Sequence, residues 1–153
     1  MPPVFDPILF LVFLAACGAS AATGAMFQPG MWYQGLRKPA WTPPSFVFPL
    51  VWTTLYIAMS WAAMRVAQLP GNGLALALFT AHIAFNVLWT PVFFGLQRMR
   101  AALVVMAALW LSVAGATVAF FAADSVAGFL MAPYLLWVSI AAALNFSVMR
   151  LNP

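Results

Sequence analysis

The sequence is poor in charge. Only 5% of its 153 residues are charged, and just two of them are acidic. A soluble globule of this size needs many more charged side chains to cover its surface. Hydrophobic residues make up 66% of the chain, and its mean hydropathy is +1.02. This composition excludes an ordinary soluble domain and predicts an integral membrane protein.

Cysteine and histidine are equally scarce. The single cysteine, Cys17, excludes an internal disulfide. The single histidine, His82, has only that cysteine and two aspartates as companions, so no bound metal ion is expected. No carboxylate pair and no nucleophile beside a base is visible, which argues against conventional catalysis. Because the cations lie at predicted helix ends, no nucleic-acid partner is expected either.

The few charges divide the chain into uncharged runs, each long enough for the ~20 apolar residues of a spanning helix. They predict an all-α, five-helix transmembrane bundle that forms a single domain over residues 1–153. Asp6 stands where a signal peptide would carry positive charge, so we expect the N-terminal segment to be retained. The predicted helices span about 7–26, 46–68, 74–94, 101–121 and 126–149.

The cations are distributed unevenly between the two ends of such a bundle. One end holds only Arg65, and the other holds Arg37, Lys38, Arg98, Arg100 and Arg150. This positive-inside bias predicts that the first loop and the C-terminus face the cytoplasm. Insertion of such apolar spans through the translocon favours an inner membrane.

The first loop, residues 27–45, is far longer than the roughly 2–8 residues that usually join packed helices. It combines two cations and several prolines with Trp32, Tyr33 and Trp41. Disordered segments are poor in aromatic residues. We therefore expect an ordered loop with a functional role.

Helical periodicity places uncommon residues on single faces of three predicted helices. Polar side chains at membrane depth are costly and usually face the bundle interior or a cavity. These faces therefore predict a cavity between the second, third and fifth helices. They consist of Trp52 and Tyr56 in the second helix, His82, Asn86, Trp89 and Phe93 in the third, and Trp137, Ala141 and Leu144 in the fifth.

Small residues mark two other surfaces. The second half of the first helix is almost entirely small, which allows either close helix packing or room for a ligand. On the third helix, Ala77, Ala81 and Ala84 lie opposite Asn86. Such a stripe either meets another helix or faces lipid, and we predict that it forms a homodimer interface.

The most specific pattern is the order of rare residues along the chain. It comprises Trp32-Tyr33, Leu36, Lys38-Pro39, Trp41 and Pro43-Pro44, then Val51-Trp52-Thr53 and Leu55-Tyr56, then Asn86, Trp89, Pro91 and Phe93-Phe94-Gly95, and finally Pro133-Tyr134-Leu135, Trp137 and Leu144-Asn145. Over essentially its whole length, the chain resembles the translocator protein or tryptophan-rich sensory protein family, also called the peripheral-type benzodiazepine receptor family.

The resemblance implies a homodimeric bundle whose first loop covers a pocket for porphyrins, sterols and benzodiazepine-site ligands. Trp52 and Asn86 match the polar contacts to ligand. Phe146 stands where the family's sterol-recognition segment usually has a tyrosine, which favours a tetrapyrrole such as protoporphyrin IX over a sterol; no cofactor is obligatory. The remaining expected site residues are Ala22, Ala25, Trp32, Leu36, Trp41, Phe48, Tyr56, Trp89, Phe93, Trp137, Ala141 and Leu144.

Three functions are compatible with this resemblance. The favoured one is a tetrapyrrole receptor or transporter with a regulatory or stress-sensing role, because a planar macrocycle suits tryptophan and its propionates suit Arg37 and Lys38. The second is an enzyme that degrades bound protoporphyrin in light. The third is a scaffold whose pocket modulates partner proteins. Because the family includes outer-membrane members, the resemblance leaves both envelope membranes open.

Overall fold

The structure, a computed structural model, describes all residues from 1 to 153 and contains only helices and short connections. Five helices are long and apolar enough to cross a membrane, which confirms the predicted fold class. The helices are α1 (Pro7–Met26), α2 (Met31–Gly35), α3 (Val47–Ala67), α4 (Gly73–Thr90), α5 (Met99–Ala123) and α6 (Ser125–Leu151), with a π-helical turn at Pro91–Gly95 that extends α4.

Two features of these elements differ from the sequence-based prediction. The first loop contains a short helix, α2, where no regular structure was predicted. The third predicted helix changes at Pro91, whose ring nitrogen cannot donate to the helical ladder. There the chain forms the wider π turn, in which Leu96 N donates to Pro91 O at 2.8 Å. This turn carries Phe93 and Phe94 beneath the first loop.

At the end of the bundle that holds the N-terminus, charged side chains fix the helix ends. The Asp6 carboxylate accepts from the amides of Ile8 and Leu9 at 2.9 and 3.0 Å and thereby caps α1. Asp124 caps α6 by accepting from Ala127 N, and it also forms an ion pair of 2.6 Å with Arg65 of α3. One carboxylate therefore starts α6 and ties it to α3.

The ring of Phe121 at the end of α5 packs closely against the backbone of Gly128 in α6. A Cβ atom added at Gly128 would overlap the ring of Phe121. Glycine at this position lets the end of α5 pack directly on the start of α6. The two helices form an antiparallel pair, so the start of α5 lies beside the end of α6.

The buried core runs along the inner faces of the spans. Methionine, leucine, valine and alanine side chains from α3, α5 and α6 are almost fully buried there, as Met59, Leu109 and Val138 illustrate. In contrast, only Cys17 and Ser20 of α1 are buried, and most of α1 is exposed on the single chain. Aromatic and polar side chains are concentrated nearer to the first loop, where they form the candidate site.

Candidate ligand-binding site

A cluster of aromatic rings lies between α3 and α6, and we call Phe48, Trp52, Tyr56, Tyr134 and Trp137 the central cluster. The Trp52 ring centroid is 5.5 Å from Tyr56, 6.0 Å from Tyr134 and 6.4 Å from Trp137. Phe48 meets Trp137 edge-on at 5.7 Å. Such tilted and edge-on pairs are the favourable arrangements of aromatic rings. The cluster is thus an aromatic wall shared by two helices.

Asn86 of α4 attaches the third helix to this cluster. Its side-chain amide donates to the hydroxyl groups of Tyr134 at 3.2 Å and Tyr56 at 3.4 Å. Asn86 is buried, as its helical stripe predicts. A polar group in a membrane interior needs such partners. One side chain therefore links α3, α4 and α6 at the same depth.

Trp137 is the one member of the central cluster with a buried polar atom that lacks a partner. Its indole Nε1 is fully covered and donates to no protein group. Leaving a buried donor unsatisfied costs about 1–3 kcal/mol. By contrast, Trp89 donates its indole N–H to Asn145 at 3.0 Å. Of these two tryptophans, Trp89 has its donor satisfied, whereas Trp137 has a buried donor without a partner.

His82 lies one turn before Asn86 and is completely buried. Its ring meets Phe79 at 4.6 Å and Tyr134 at 5.3 Å, and both ring nitrogens lack partners. No group of three His, Cys, Asp or Glu side chains surrounds it. The histidine consequently packs as an aromatic ring behind Tyr134.

The first loop packs on the end of α4 through a second group of rings. We call this group the lid cluster; it consists of Trp32 and Tyr33 of the loop with Trp89, Phe93 and Phe94. Trp32 and Tyr33 of α2 meet Phe93 at 5.8 and 6.2 Å, and Tyr33 meets Phe94 at 5.3 Å. Trp89 stacks on Phe93 at 5.0 Å. Because the Tyr33 ring is partly buried in this contact, desolvation raises the pKa of its hydroxyl. Aromatic packing thus places α2 over the end of α4.

Polar contacts fix the segment that follows α2. The Lys38 ammonium lies 4.4 Å from the centre of the Tyr33 ring, a cation–π distance. Asn152, just after α6, bonds the backbone of Arg37 twice: it accepts from Arg37 N and donates to Arg37 O, both at 2.9 Å. The first loop is therefore attached both to the π turn and to the end of the chain.

The structure brings most of the predicted site residues together, in two groups. Phe48, Trp52, Tyr56 and Trp137 belong to the central cluster with Asn86 beside them, and Ala141 packs against the same core. Leu144 is buried against Phe93 and belongs with the lid cluster, which Leu36 also contacts. Phe48 and Trp89 touch both groups. The two clusters are accordingly continuous.

Three predicted site residues lie apart from these clusters. Ala22 and Ala25 are exposed on the second half of α1, and Trp41 is 51% exposed in the loop. Phe146 is also exposed, on the outer face of α6. The alanines predicted to form a dimer interface lie on an open face of α4, where Ala77 and Ala84 are exposed and Ala81 is half-buried.

Tyr134 was missed as a candidate site residue. It is completely buried, it contacts Trp52 and His82, and it accepts a hydrogen bond from Asn86. Its position one turn before Trp137, near the middle of a span, was the available signal. A tyrosine so far from the interface needs a hydrogen-bond partner.

Comparison with known proteins supports the resemblance seen in the sequence. A model of the TspO/MBR family matches residues 9–151. The tryptophan-rich sensory protein of Cereibacter sphaeroides is 59% identical over 147 residues, which cover 96% of this chain and 93% of that protein. Protein CrtK of Rhodobacter capsulatus is 49% identical over 149 residues, covering 95% and 93%.

The similarity extends to a eukaryotic relative. The translocator protein of Homo sapiens is 34% identical over 158 aligned positions, covering 99% of this chain and 94% of the human protein. Together with five helices able to cross a membrane, these matches identify an integral multi-pass membrane protein. The chain belongs to the TspO/MBR family of membrane sensory and translocator proteins.

Proposed function

We propose that the protein binds a tetrapyrrole of the protoporphyrin IX type beneath its first loop and acts as a membrane receptor or transporter for it. A regulatory or stress-sensing role follows from such binding if the occupied and empty forms differ. Tryptophan and tyrosine rings offer large flat surfaces for a planar apolar macrocycle. The central cluster and the lid cluster provide these surfaces on adjacent helices.

The observation that carries the proposal is the unpartnered indole N–H of Trp137 inside the central cluster. A ligand carbonyl or carboxylate placed there would accept this hydrogen bond and remove the cost of a buried free donor. Trp52 and the Asn86–Tyr134 pair lie next to it. The site thus has an apolar wall with a small number of polar groups, as small-molecule sites usually do.

The loop supplies charge that is complementary to the ligand. Arg37 and Lys38 follow α2 directly, and the Arg37 side chain is exposed. Propionate groups of a bound tetrapyrrole would pair with these cations, because charge-assisted hydrogen bonds to carboxylates are among the stronger ones. The apolar macrocycle would then lie inward and its carboxylates outward.

Binding requires the rings to move. A macrocycle held between two aromatic faces needs roughly 7 Å, twice the ~3.5 Å distance of carbon contact. The Trp52 and Trp137 rings are 6.4 Å apart by their centroids and nearly perpendicular. Entry therefore requires that the lid opens and that at least one tryptophan rotates. This rearrangement predicts a change in tryptophan fluorescence on binding, beyond simple quenching by the ligand.

Titration of the purified protein with protoporphyrin IX, haem and cholesterol tests the proposal. Trp137→Phe keeps most of the ring but removes the donor, so porphyrin affinity should fall by about 1–3 kcal/mol, or roughly five- to 150-fold in Kd. Trp61→Phe is the matched control, since Trp61 is 44% exposed and lies outside both clusters. A folded Trp52→Phe/Trp137→Phe double variant with unchanged porphyrin affinity would refute the proposal.

Two further measurements on the same complex separate the kinds of function. Flux of protoporphyrin IX across proteoliposomes distinguishes a transporter from a receptor or scaffold. Illumination of the complex, followed by analysis of the pigment, tests whether the protein degrades its ligand. Loss of pigment at the rate of free protoporphyrin IX would argue against an enzymatic role.

A further inference from the structure

The two ends of the bundle differ in how their charges are neutralised. Both acidic side chains, Asp6 and Asp124, lie at the end that holds the N-terminus. The pair Arg65–Asp124 is the only ion pair in the structure. The five cations at the other end therefore have no acidic partner. Uncompensated positive charge at the end of a membrane bundle attracts anionic groups.

Three of these cations surround a cleft between the start of α5 and the end of α6. The cleft has a volume of about 680 Å³, and Arg98, Arg100 and Arg150 are exposed around it. Their guanidinium groups form no hydrogen bonds with protein groups. Guanidinium groups match phosphate oxygens in shape as well as charge, and several can bind one phosphate together. The cleft is therefore chemically suited to a phosphate group.

Part of the cleft lining, contributed by α5 and α6, is apolar. Met99 and Met149 contribute to its lining, and Arg150 also lines a second, smaller cleft together with Pro39, Phe146, Ser147 and Leu151. The Phe146 ring is 45% exposed on α6, with the Arg150 guanidinium 5.8 Å from its centre. Arg150 thus lines both the basic cleft and the neighbouring apolar surface, in the last turn of a helix long enough to span a membrane.

We propose that this cleft binds the headgroup phosphate of an anionic phospholipid, held by Arg98, Arg100 and Arg150, with an acyl chain along Phe146 and Leu151. A soluble phosphate compound would use the arginines but would leave the adjacent apolar surface uncovered. A neutral lipid would leave the excess positive charge uncompensated. An anionic phospholipid satisfies both features of the site.

Lipid binding by the whole protein tests this assignment. Protein purified in detergent is titrated with phosphatidylglycerol or with phosphatidylcholine, and bound lipid is counted by native mass spectrometry. Because each basic residue near an anionic membrane contributes on the order of fivefold in affinity, Arg98→Gln/Arg150→Gln should lower phosphatidylglycerol binding by roughly 25-fold. Binding of phosphatidylcholine should be weak and should not change.

The matched control removes the same amount of charge from the same end. Arg37→Gln/Lys38→Gln alters two cations of the first loop that do not line the cleft. This variant should bind phosphatidylglycerol within about twofold of the original protein. It should instead weaken porphyrin binding if the proposed function is correct, so failure of one proposal is distinguishable from failure of the other.

Three outcomes would overturn the assignment. The first is equal binding of the two lipids by the original protein. The second is an equal loss in both double variants, which would show that only net charge matters. The third is displacement of phosphatidylglycerol by inorganic phosphate at a concentration similar to that of the lipid, which would show that the acyl chain contributes nothing. Retention of phosphatidylglycerol preference in Arg98→Lys/Arg150→Lys, which preserves charge, would support it.

Discussion

Replacing Asn152 with alanine should loosen the first loop without touching either aromatic cluster. Asn152 lies just beyond α6, and its side chain bonds the Arg37 amide and carbonyl, both at 2.9 Å. The same side chain donates to Val148 O at 2.8 Å, which holds it in place against α6. These contacts join two segments that are 115 residues apart in sequence. Their loss should therefore free the part of the loop that follows α2.

The loss of loop stability expected in Asn152→Ala follows from the number of hydrogen bonds removed and from their exposure to water. A typical intramolecular hydrogen bond contributes about 0.5–1.5 kcal/mol net, so the two bonds to Arg37 could contribute about 1–3 kcal/mol. Since Arg37 is exposed and water replaces its lost partners, we take the lower end of this range, about 1–1.5 kcal/mol. A change of about 1–1.5 kcal/mol corresponds to a roughly five- to twelvefold increase in the open population of the loop.

Hydrogen exchange is the direct assay, because the Arg37 amide is one of the two donors in the contact. In Asn152→Ala this amide should exchange about five to twelve times faster, whereas amides in the middle of α3 should not change. If the loop gates the ligand site, the dissociation rate of protoporphyrin IX should rise by a similar factor while the association rate changes less.

Asn72→Ala provides the control. Asn72 also makes two bonds from its side chain to backbone carbonyls, those of Val66 and Ala67 at 3.2 and 3.0 Å, but at the opposite end of the bundle. The Asn72→Ala variant should therefore leave the hydrogen-exchange rate of the Arg37 amide unchanged. Equal exchange at Arg37 in the original protein and in Asn152→Ala would refute the reasoning, since the contact would then contribute nothing to the order of the loop.

Three further predictions concern the bundle itself. Asp124 has its pKa lowered mainly by the hydrogen bond from Arg65, so its stabilising contribution is fully present above the unfolded value of about 3.9 and is lost as pH falls through the folded pKa. Asp124→Asn should lower the free energy of unfolding at pH 7 by about 1–2 kcal/mol. It should also reduce the fall in Tm that the original protein shows as pH is lowered below about 4, and an unchanged fall in Tm would contradict this. Gly128→Ala should destabilise by about 1–3 kcal/mol in thermal unfolding, because its methyl group overlaps the Phe121 ring, and an unchanged Tm would show that the ring simply moves aside. Ala81→Trp should yield monomers that still bind porphyrin if α4 forms the dimer interface; dimers that persist in bilayer crosslinking would place the interface elsewhere.

Much of the architecture could be predicted because its causes are local in sequence. Charge is so scarce that Asp6, Arg65 and Asp124 mark helix ends directly. Helical periodicity was equally informative for side chains whose burial is unusual. Asn86 and Trp137 were expected to face inward because a polar group and a mid-span indole are poorly placed against lipid, and both are buried.

The features that were not predicted depend on contacts between distant segments. Nothing in the sequence near Asn152 indicates a bond to Arg37, since that contact depends on how the first loop lies against the end of α6. The helix α2 is only five residues long and carries no side-chain cap, so its formation depends on packing of Trp32 and Tyr33 against Phe93. The free donor of Trp137 likewise follows only from three-dimensional placement.

The contacts that hold the two ends of the bundle suggest where it opens. At the N-terminal end, the Arg65–Asp124 ion pair joins α3 to α6, and two hydrogen bonds between Val4 and Gln68 join the segment before α1 to the end of α3, so separating those helices would expose charged partners and break several bonds together. At the other end the first loop is held by edge-on aromatic contacts, one cation–π contact and the bonds of Asn152. Each of these contacts is weak and can be released separately. Local opening therefore costs least at the loop, which covers the end of the bundle closest to Trp137 and Phe48. Under the proposed function, a ligand entering there would meet the cations of the loop first and the central cluster afterwards, so charge would select the ligand before its rings are buried.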